Sequence, residues 1–580
     1  MNTPSLKLRK IFEIILVSTL LTIFSYLVCI VYAYPYFSIG SIGGNGAYDG
    51  EPDYFANIIS TLVNGHSMDF LHPGVPINQI SAFFIGIFSS ILTVEEVIEF
   101  SRFLVLFLNC LMIYAGSRIV LNQELIFSFL LISILILFPA GFFLIDNLSP
   151  NGILFGISVL LVSIGSKLSS KLSGNLIIYS IFLGIAISIK YISLIIVIPF
   201  LTHLFFDKSN QDLKTSTILS IIFFLVLISF ITFSITAWHI LPVTPYILTH
   251  HGLIFSESIQ TLSDPKIIFS ILFFLVILLL ILKIIFSYLK KYSFERIYQK
   301  TCAFLIICLA LVVLVNFFKS NSLLSFGYSL RNYFPILGMI VLFISYLKDF
   351  KFISSKGFYF FSFVLIFFSF TAKINFNYHA HKDAFNEQSS FLSFISQFEE
   401  YDFLAFYPPT EFISSEIFVA WSDYRYGDSR FNFSDEISHF RSSMLQPKVR
   451  IINIRKFNLL DPRNKPSYKY FSAVEKSKFS TQSQKNVAIN QMNLLTPKNI
   501  CYELFDGFKR DKKSILFFPE SLNSYIEKDE ISKSDDALLL VKKLKNDLET
   551  KCAIKSEISE SFYKDQIFYL IKINSYNSTD

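Results

Sequence analysis

The stretch LIIYSIFLGIAISIKYISLIIVIPFLTHLFF, Leu176–Phe206, carries one formal charge, Lys190, near its middle. About 20 apolar residues cross the hydrocarbon core of a bilayer, and this run is too long for one such helix. A lysine there is costly to bury and marks a functional position by default. The run is therefore read as two short helices meeting at Lys190. The plainer role for that side chain is to snorkel from a helix break toward the headgroups.

The rest of the chain agrees with a membrane setting. Of its 580 residues 53% are hydrophobic and 16% charged, against about 25% charged in a soluble protein. Mean hydropathy is +0.52. Phe alone occurs 67 times, with 21 Gly and 19 Pro. These values exclude a soluble enzyme and a disordered chain. Further apolar runs read as spans at Ile11–Ala33 and roughly 100–121, 125–145, 151–166, 217–239, 268–289, 302–318, 332–346 and 357–373. With the two halves of 176–206 this makes about eleven spans. The first run is too long for a signal h-region, lacks a small-residue cleavage site, and reads as a retained helix.

Charge sets the expected orientation. Lys7, Arg9 and Lys10 precede the first span and place the N-terminus in the cytoplasm. Residues 34–101 contain no Lys or Arg, so 34–99 reads as a large outer loop. The run 77–94 is either a span or a helix lying in the interface. The interfacial reading is preferred because it puts Arg118, Lys167, Lys171, Lys208 and Lys214 on the cytoplasmic side, and Asp146 outside. In the alternative, 77–94 spans and 176–206 is one helix; both readings put the tail outside. Of the 50 Lys+Arg, 22 lie in residues 1–374 and 28 in 375–580. The chain thus divides into a multi-span part, 1–374, and an extracytoplasmic tail, 375–580, of domain size. The tail mixes β-like segments (Phe403–Tyr407, Val449–Ile454, Ser514–Phe518, Gln566–Ile573) with a charged helical stretch, Ser534–Thr550. It reads as a mixed α/β domain. Cys501 and Cys552 could pair there in an oxidising compartment. The other cysteines lie in apolar runs as small hydrophobes. Basic residues in short loops orient spans, so no nucleic-acid partner is expected. High Phe, Ile, Asn and Lys usage suggests an A/T-rich genome and a bacterial inner membrane.

The chemistry-bearing segment is the first outer loop, Tyr48-Asp49-Gly50-Glu51-Pro52-Asp53-Tyr54, followed by His72-Pro73-Gly74. Its bland reading is a solvated acidic turn. Its functional reading is a general base or metal site at the membrane boundary, where an apolar cleft raises a carboxylate's pKa into a useful range.

In this layout the chain resembles the GT-C glycosyltransferases, which include protein O-mannosyltransferases and aminoarabinose transferases. Their first outer loop carries an acidic motif, an aromatic residue, a Gly and a His-Pro or Pro-Pro turn. Glu51-Pro52-Asp53-Tyr54, Gly65 and His72-Pro73-Gly74 follow that order. Asp146-Asn147-Leu148-Ser149-Pro150 fits a second acidic site, Ser188-Ile189-Lys190-Tyr191 a Lys within a hydrophobic hairpin, and Arg331-Asn332-Tyr333-Phe334-Pro335 an Arg-aromatic-Pro segment. The resemblance covers about residues 1–350. Gly50 departs from it, standing where the adjacent acidic pair would place Asp. The base is therefore left open among Glu51, Asp53 and Asp49.

The resemblance implies an inverting transfer of a sugar from a polyprenyl-phosphate donor to an extracytoplasmic acceptor (a glycan, lipid or protein). A loop carboxylate would act as base, Lys190 and Arg331 would bind the donor phosphate, and Tyr54, His72 and Pro73 would shape the loop. Asp146 also reads as the N-cap of a helix beginning near Pro150, and Arg331 as a helix-end residue. No cofactor is required. Some relatives use a divalent ion, and His250, His251, His379 and His381 are the candidate partners, but no ligand spacing points to a metal. The rival readings are a transporter or flippase, a polysaccharide polymerase, and a scaffold whose tail binds. A transporter would show matching broken helices in two halves, a polymerase would carry its basic site late, and a scaffold would leave Glu51, Asp53 and Lys190 unexplained.

Overall fold

The computed structural model describes residues 4–33, 74–88, 94–120, 125–137, 150–168, 174–206 and 215–243, with single positions within 54–65, 302–309, 333–344 and 357–367. In the tail it describes positions within 393–406, 449–451, 466–495, 513–519, 537–563 and 566–573. Contacts divide the chain into two units. The first holds Met1–Tyr32, Phe70–Ile77 and Arg102–Asn377; the second holds Ala33–Asp69, Asn78–Ser101 and Tyr378–Asp580. Most of the segment 34–99 thus groups with Tyr378–Asp580 rather than with the helices of the first unit.

The first unit is helical. Its elements are α1 (Pro4–Ala33), the start of α2 (Val75–Phe88), most of α3 (Val94–Val120), α4 (Leu125–Leu137), α5 (Pro150–Gly165), α6 (Gly174–Ile189), a 3₁₀ turn (Tyr191–Ile196), α7 (Val197–Phe206), α8 (Thr215–Thr236), a second 3₁₀ turn (Trp238–Val243) and the short α9 (Phe334–Leu337). Among the described residues, two helices are long and apolar enough to cross a membrane: Phe100–Val120, with mean hydropathy 1.9, and Ser216–Thr236, with 2.8. Shorter apolar helices cover Ile11–Leu27, Val75–Phe88, Leu125–Leu137, Gly152–Gly165, Gly174–Ile189 and Tyr191–Leu201. The expected count of about eleven spans is thus matched only in part, and the span expected at 268–289 lies outside the described residues.

These helices are apolar on their exposed faces and admit hydroxyl-bearing residues among the apolar side chains of their buried faces. On α1 the buried face carries Ser18, Leu21, Thr22 and Ser25, while Ile11, Ile15, Leu20, Ile23 and Leu27 are exposed. The buried hydroxyls are satisfied locally: Ser18 Oγ donates to Ile14 O at 2.7 Å and Thr22 Oγ1 to Ser18 O at 2.7 Å. On α8, Leu219, Phe223, Val226, Phe230 and Ile235 face outward, and Ser229 is buried. Such an exterior is unfavourable in water and stable against hydrocarbon.

Small residues let the backbones approach, as helices do where lipid removes the hydrophobic drive between them. Gly156 N–H on α5 donates to Asn109 Oδ1 on α3 at 2.8 Å. A Cβ at Gly116 would lie 2.9 Å from Val159. A Cβ at Gly184 on α6 would collide with Ser229 and Thr232 on α8, where Ser229 Oγ donates to Ser180 O at 3.0 Å. The pairings set direction. Glu13 meets Tyr114 and Arg118, and Tyr26 meets Phe103, so α1 and α3 are antiparallel. Asn109 and Gly116 meet Gly156 and Val159 in ascending order, so α3 and α5 are parallel. Had α2 been a full crossing, α1 and α3 would run the same way. At 14 residues, or about 21 Å, α2 is also short of a hydrocarbon core. The structure therefore favours the reading in which 77–94 does not span.

The second unit contains the tail sheet, built from β1 (Phe403–Phe406), β2 (Val449–Ile451), β3 (Ser514–Pro519), β4 (Ser556–Tyr563) and β5 (Gln566–Ile573), with helices α10 (Pro466–Lys476), α11 (Gln482–Leu495) and α12 (Ala537–Cys552). The order is β2-β1-β3-β5-β4. β1 pairs in parallel with β2 and β3, and β5 runs antiparallel to β3 and β4. The expected mixed α/β domain is present. Phe398 stacks edge-on to Phe517 at 5.1 Å, and Phe394 lies 5.4 Å from Phe568. β4 was not expected: as an edge strand it keeps Glu557 and Glu560 in solvent and so lacks an apolar signal. Cys501 lies outside the described residues.

Two outcomes follow from this packing. Gly184→Leu overpacks the α6–α8 contact and lowers stability by about 1–3 kcal/mol, seen as a lower melting temperature in detergent, whereas Gly174→Ala, where a Cβ meets nothing within 4 Å, leaves it unchanged. In the tail, burial pushes the Tyr470 hydroxyl from 10.0 up to about 12. The unfolded chain gives up that proton first, so stability is intact below pH 10 and falls as pH rises toward 12. Tyr470→Phe removes that alkaline loss in a denaturation series on the full chain.

Candidate functional site

The helical hydrogen-bond ladder breaks at Lys190, as the single charge in the apolar run leads one to expect. α6 stops at Ile189, and Lys190 is extended, with φ −158° and ψ 130°. Lys190 N–H still donates to Ala186 O at 3.0 Å. The N–H of Ser193, which would continue the α-helix onto Ile189 O, donates to Lys190 O at 3.0 Å and starts the 3₁₀ turn. The chain then folds back on itself. Tyr179 Oη donates to Ile196 O at 3.3 Å, and its ring lies 5.5 Å from that of Phe200. α6 and α7 are thus the arms of a hairpin with Lys190, half-buried, at its tip.

Ile189 C=O would be an orphan acceptor in this apolar surrounding, a costly state where no water reaches. The N–H of Gly74, the residue before α2, donates to it at 3.3 Å. Gly74 is buried and left-handed, with φ 50°. Glycine adopts that conformation without a Cβ penalty.

The 3₁₀ turn after Lys190 packs against α5 and α9. Ser158 Oγ on α5 donates to Pro335 O of α9 in a short hydrogen bond. α5 begins at Pro150. Phe334, which follows the Arg331 segment, is fully buried at the start of α9. Within the turn, Ser193 is buried, and its Oγ has no hydrogen-bond partner among the described residues. Lys190 and the buried Ser193 hydroxyl thus lie at the turn that meets α5 and α9. That set suits an anionic headgroup whose tail lies along an apolar bundle.

The other sequence candidates divide. Asp49, Glu51, Asp53, His72, Pro73, Asp146 and Arg331 lie outside the described residues, as do His250, His251, His379 and His381. Tyr54 is described: it is helical and buried, on the same face as Asn57, Ile58 and Thr61. Gly65 N–H donates to Thr61 O at 2.9 Å with φ 78°, which closes that helical turn. Among the described residues no group of three His, Cys, Asp or Glu could hold a metal. No protein-family model matches this chain, and no curated protein matches it either. The reading of the site therefore rests on its own geometry.

Two buried polar residues escaped the sequence reading. Arg102, 4% exposed within α3, is the first basic residue after the stretch 34–101 and falls inside the expected span 100–121. His239, 2% exposed, follows Trp238 at the end of α8. The available signal was the same for both: a polar group within a few residues of a span's end.

The helix directions place Arg118 and Lys167 at one end of the first unit and Lys190 at the other. In a background lacking Cys501 and Cys552, Lys167→Cys is expected to react with a membrane-impermeant thiol reagent from one side of the bilayer only, and Lys190→Cys from the opposite side only. Labelling of right-side-out and inverted vesicles checks this.

Proposed function

We propose that this chain is an integral-membrane glycosyltransferase of the inner membrane, which transfers a sugar from a polyprenyl-phosphate donor to an extracytoplasmic acceptor. The observation that carries the reading is the hairpin tip: a lysine at the mouth of an apolar bundle, tied by a backbone hydrogen bond to the loop that bears Asp49, Glu51 and Asp53. The apolar exposed faces of α1 and α8 support the membrane setting. The grouping of basic residues also supports the orientation. Lys7, Arg9, Lys10, Arg118, Lys167, Lys171, Lys208 and Lys214 flank the same ends of α1, α3, α5, α6, α7 and α8 in sequence, the pattern of a cytoplasmic side.

The chemistry runs as follows. A loop carboxylate takes the proton of the acceptor hydroxyl. The oxygen forms a bond to the anomeric carbon as the bond from that carbon to the phosphate oxygen breaks. The electron pair leaves on the lipid phosphate, so configuration inverts. Lys190, with Arg331, offsets the charge developing on the departing phosphate, where low dielectric makes electrostatic stabilisation strongest. Tyr54, His72 and Pro73 shape the loop around the acceptor, and Asp146 provides a second acid. The scheme needs no cofactor; a divalent ion would have to draw on the loop carboxylates and His250, His251, His379 or His381.

One observation also favours the transporter reading: an interrupted hairpin with a charge at its break is a device that transporters use. Lipid extracts separate the two. In cells lacking the protein, a polyprenyl-phosphate sugar should accumulate and a surface glycan should lose that sugar. Glu51→Gln or Asp53→Asn should reproduce this, with transfer by purified protein lowered by about 10²–10⁴-fold. Full complementation by both variants and by Asp49→Asn would sink the transferase reading, and donor movement between leaflets without sugar transfer would establish the transporter.

A further inference from the structure

We infer that Gly74 is a positioning residue for Lys190, and that its backbone N–H holds the hairpin tip in the conformation that binds a lipid-linked phosphate. The inference rests on the donor role given to Lys190 above. Its own ground is the hydrogen-bond ledger at the break. Lys190 C=O is taken by Ser193 N–H at 3.0 Å, and Lys190 N–H by Ala186 O at 3.0 Å. Ile189 C=O receives its donor from Gly74, distant in the chain, at 3.3 Å. Without that donor the cheapest repair is local: Ser193 N–H returns to Ile189 O, the α-helix continues through Lys190, and the extended residue at φ −158° disappears. Helical continuation rotates the Lys190 side chain about the axis and withdraws it from the tip. Gly74 therefore sets the state of the hairpin.

Gly74 suits this role because its N–H is aimed from a left-handed conformation, φ 50°, that a β-branched residue resists and Asn tolerates. The test measures affinity for a polyprenyl phosphate without its sugar, using full-length protein in nanodiscs. Lys190→Gln is expected to weaken binding about 10-fold, the loss of one charge-assisted contact. Gly74→Val should weaken it to a similar degree, Gly74→Asn should stay within about twofold of wild type, and Gly74→Val/Lys190→Gln should be no weaker than Lys190→Gln alone. Hydrogen exchange over 186–194 gives a reading that needs no ligand. It should change in Gly74→Val and not in Gly74→Asn, and Gly74→Ala replaces Gly74→Val if the latter does not reach the membrane. Losses that multiply in the double variant, or an Asn variant as weak as Val, overturn the inference while leaving the donor role of Lys190 standing. A Lys190→Gln protein that binds as tightly as wild type removes the donor role, and the inference with it.

Discussion

A backbone carbonyl inside an apolar bundle has no water to turn to, and the architecture around Lys190 is organised by that constraint. α6 cannot stop at Ile189 without leaving an acceptor unpaired, and Gly74 supplies the donor. That donor is distant in the chain, so the break is closed by a tertiary contact and not by a local cap. The reversal of the chain between Tyr179 and Phe200 then brings the 3₁₀ turn against α5 and α9. A single satisfied carbonyl thus connects a helix break, a loop terminus and a helix–helix junction.

The same requirement shapes the helices elsewhere. Hydroxyls on α1 return to carbonyls of their own helix, and Ser229 reaches across to Ser180 O. Asn109 is buried against the backbone of Gly156, where its amide oxygen finds a donor. Polar side chains lie inward because the partners they need are there, and Ile, Leu and Phe lie outward because hydrocarbon costs them nothing. Gly116, Gly156 and Gly184 bring the backbones close enough for these contacts to form. The glycines and the hydroxyls are therefore parts of one packing solution. Removing either leaves the other without purpose.

The tail obeys the opposite solvent. Its core strands β3 and β5 are buried and apolar, with Phe517 and Phe568 under Phe394 and Phe398. Its edge strand β4 is polar, which both hid it from a reading of apolar periodicity and suits a strand with one side facing water. The segments that were legible, Ser514–Phe518 and Gln566–Ile573, are those whose side chains fill the core. α10 and α11 carried no comparable signal, since their polar residues outnumber the few that are buried.

The sequence by itself determined the apolar helices of the first unit and the break at Lys190, because each depends on local hydropathy and charge. Only the tertiary structure decided that α1 runs antiparallel to α3, since that follows from the contacts of Glu13 with Tyr114 and of Tyr26 with Phe103. It alone paired Gly74 with Ile189 and buried Arg102 and His239. Hydrogen bonds between residues far apart in the chain leave no periodic trace in sequence, because the partner of an orphaned carbonyl is set by the path of the whole bundle and not by its neighbours.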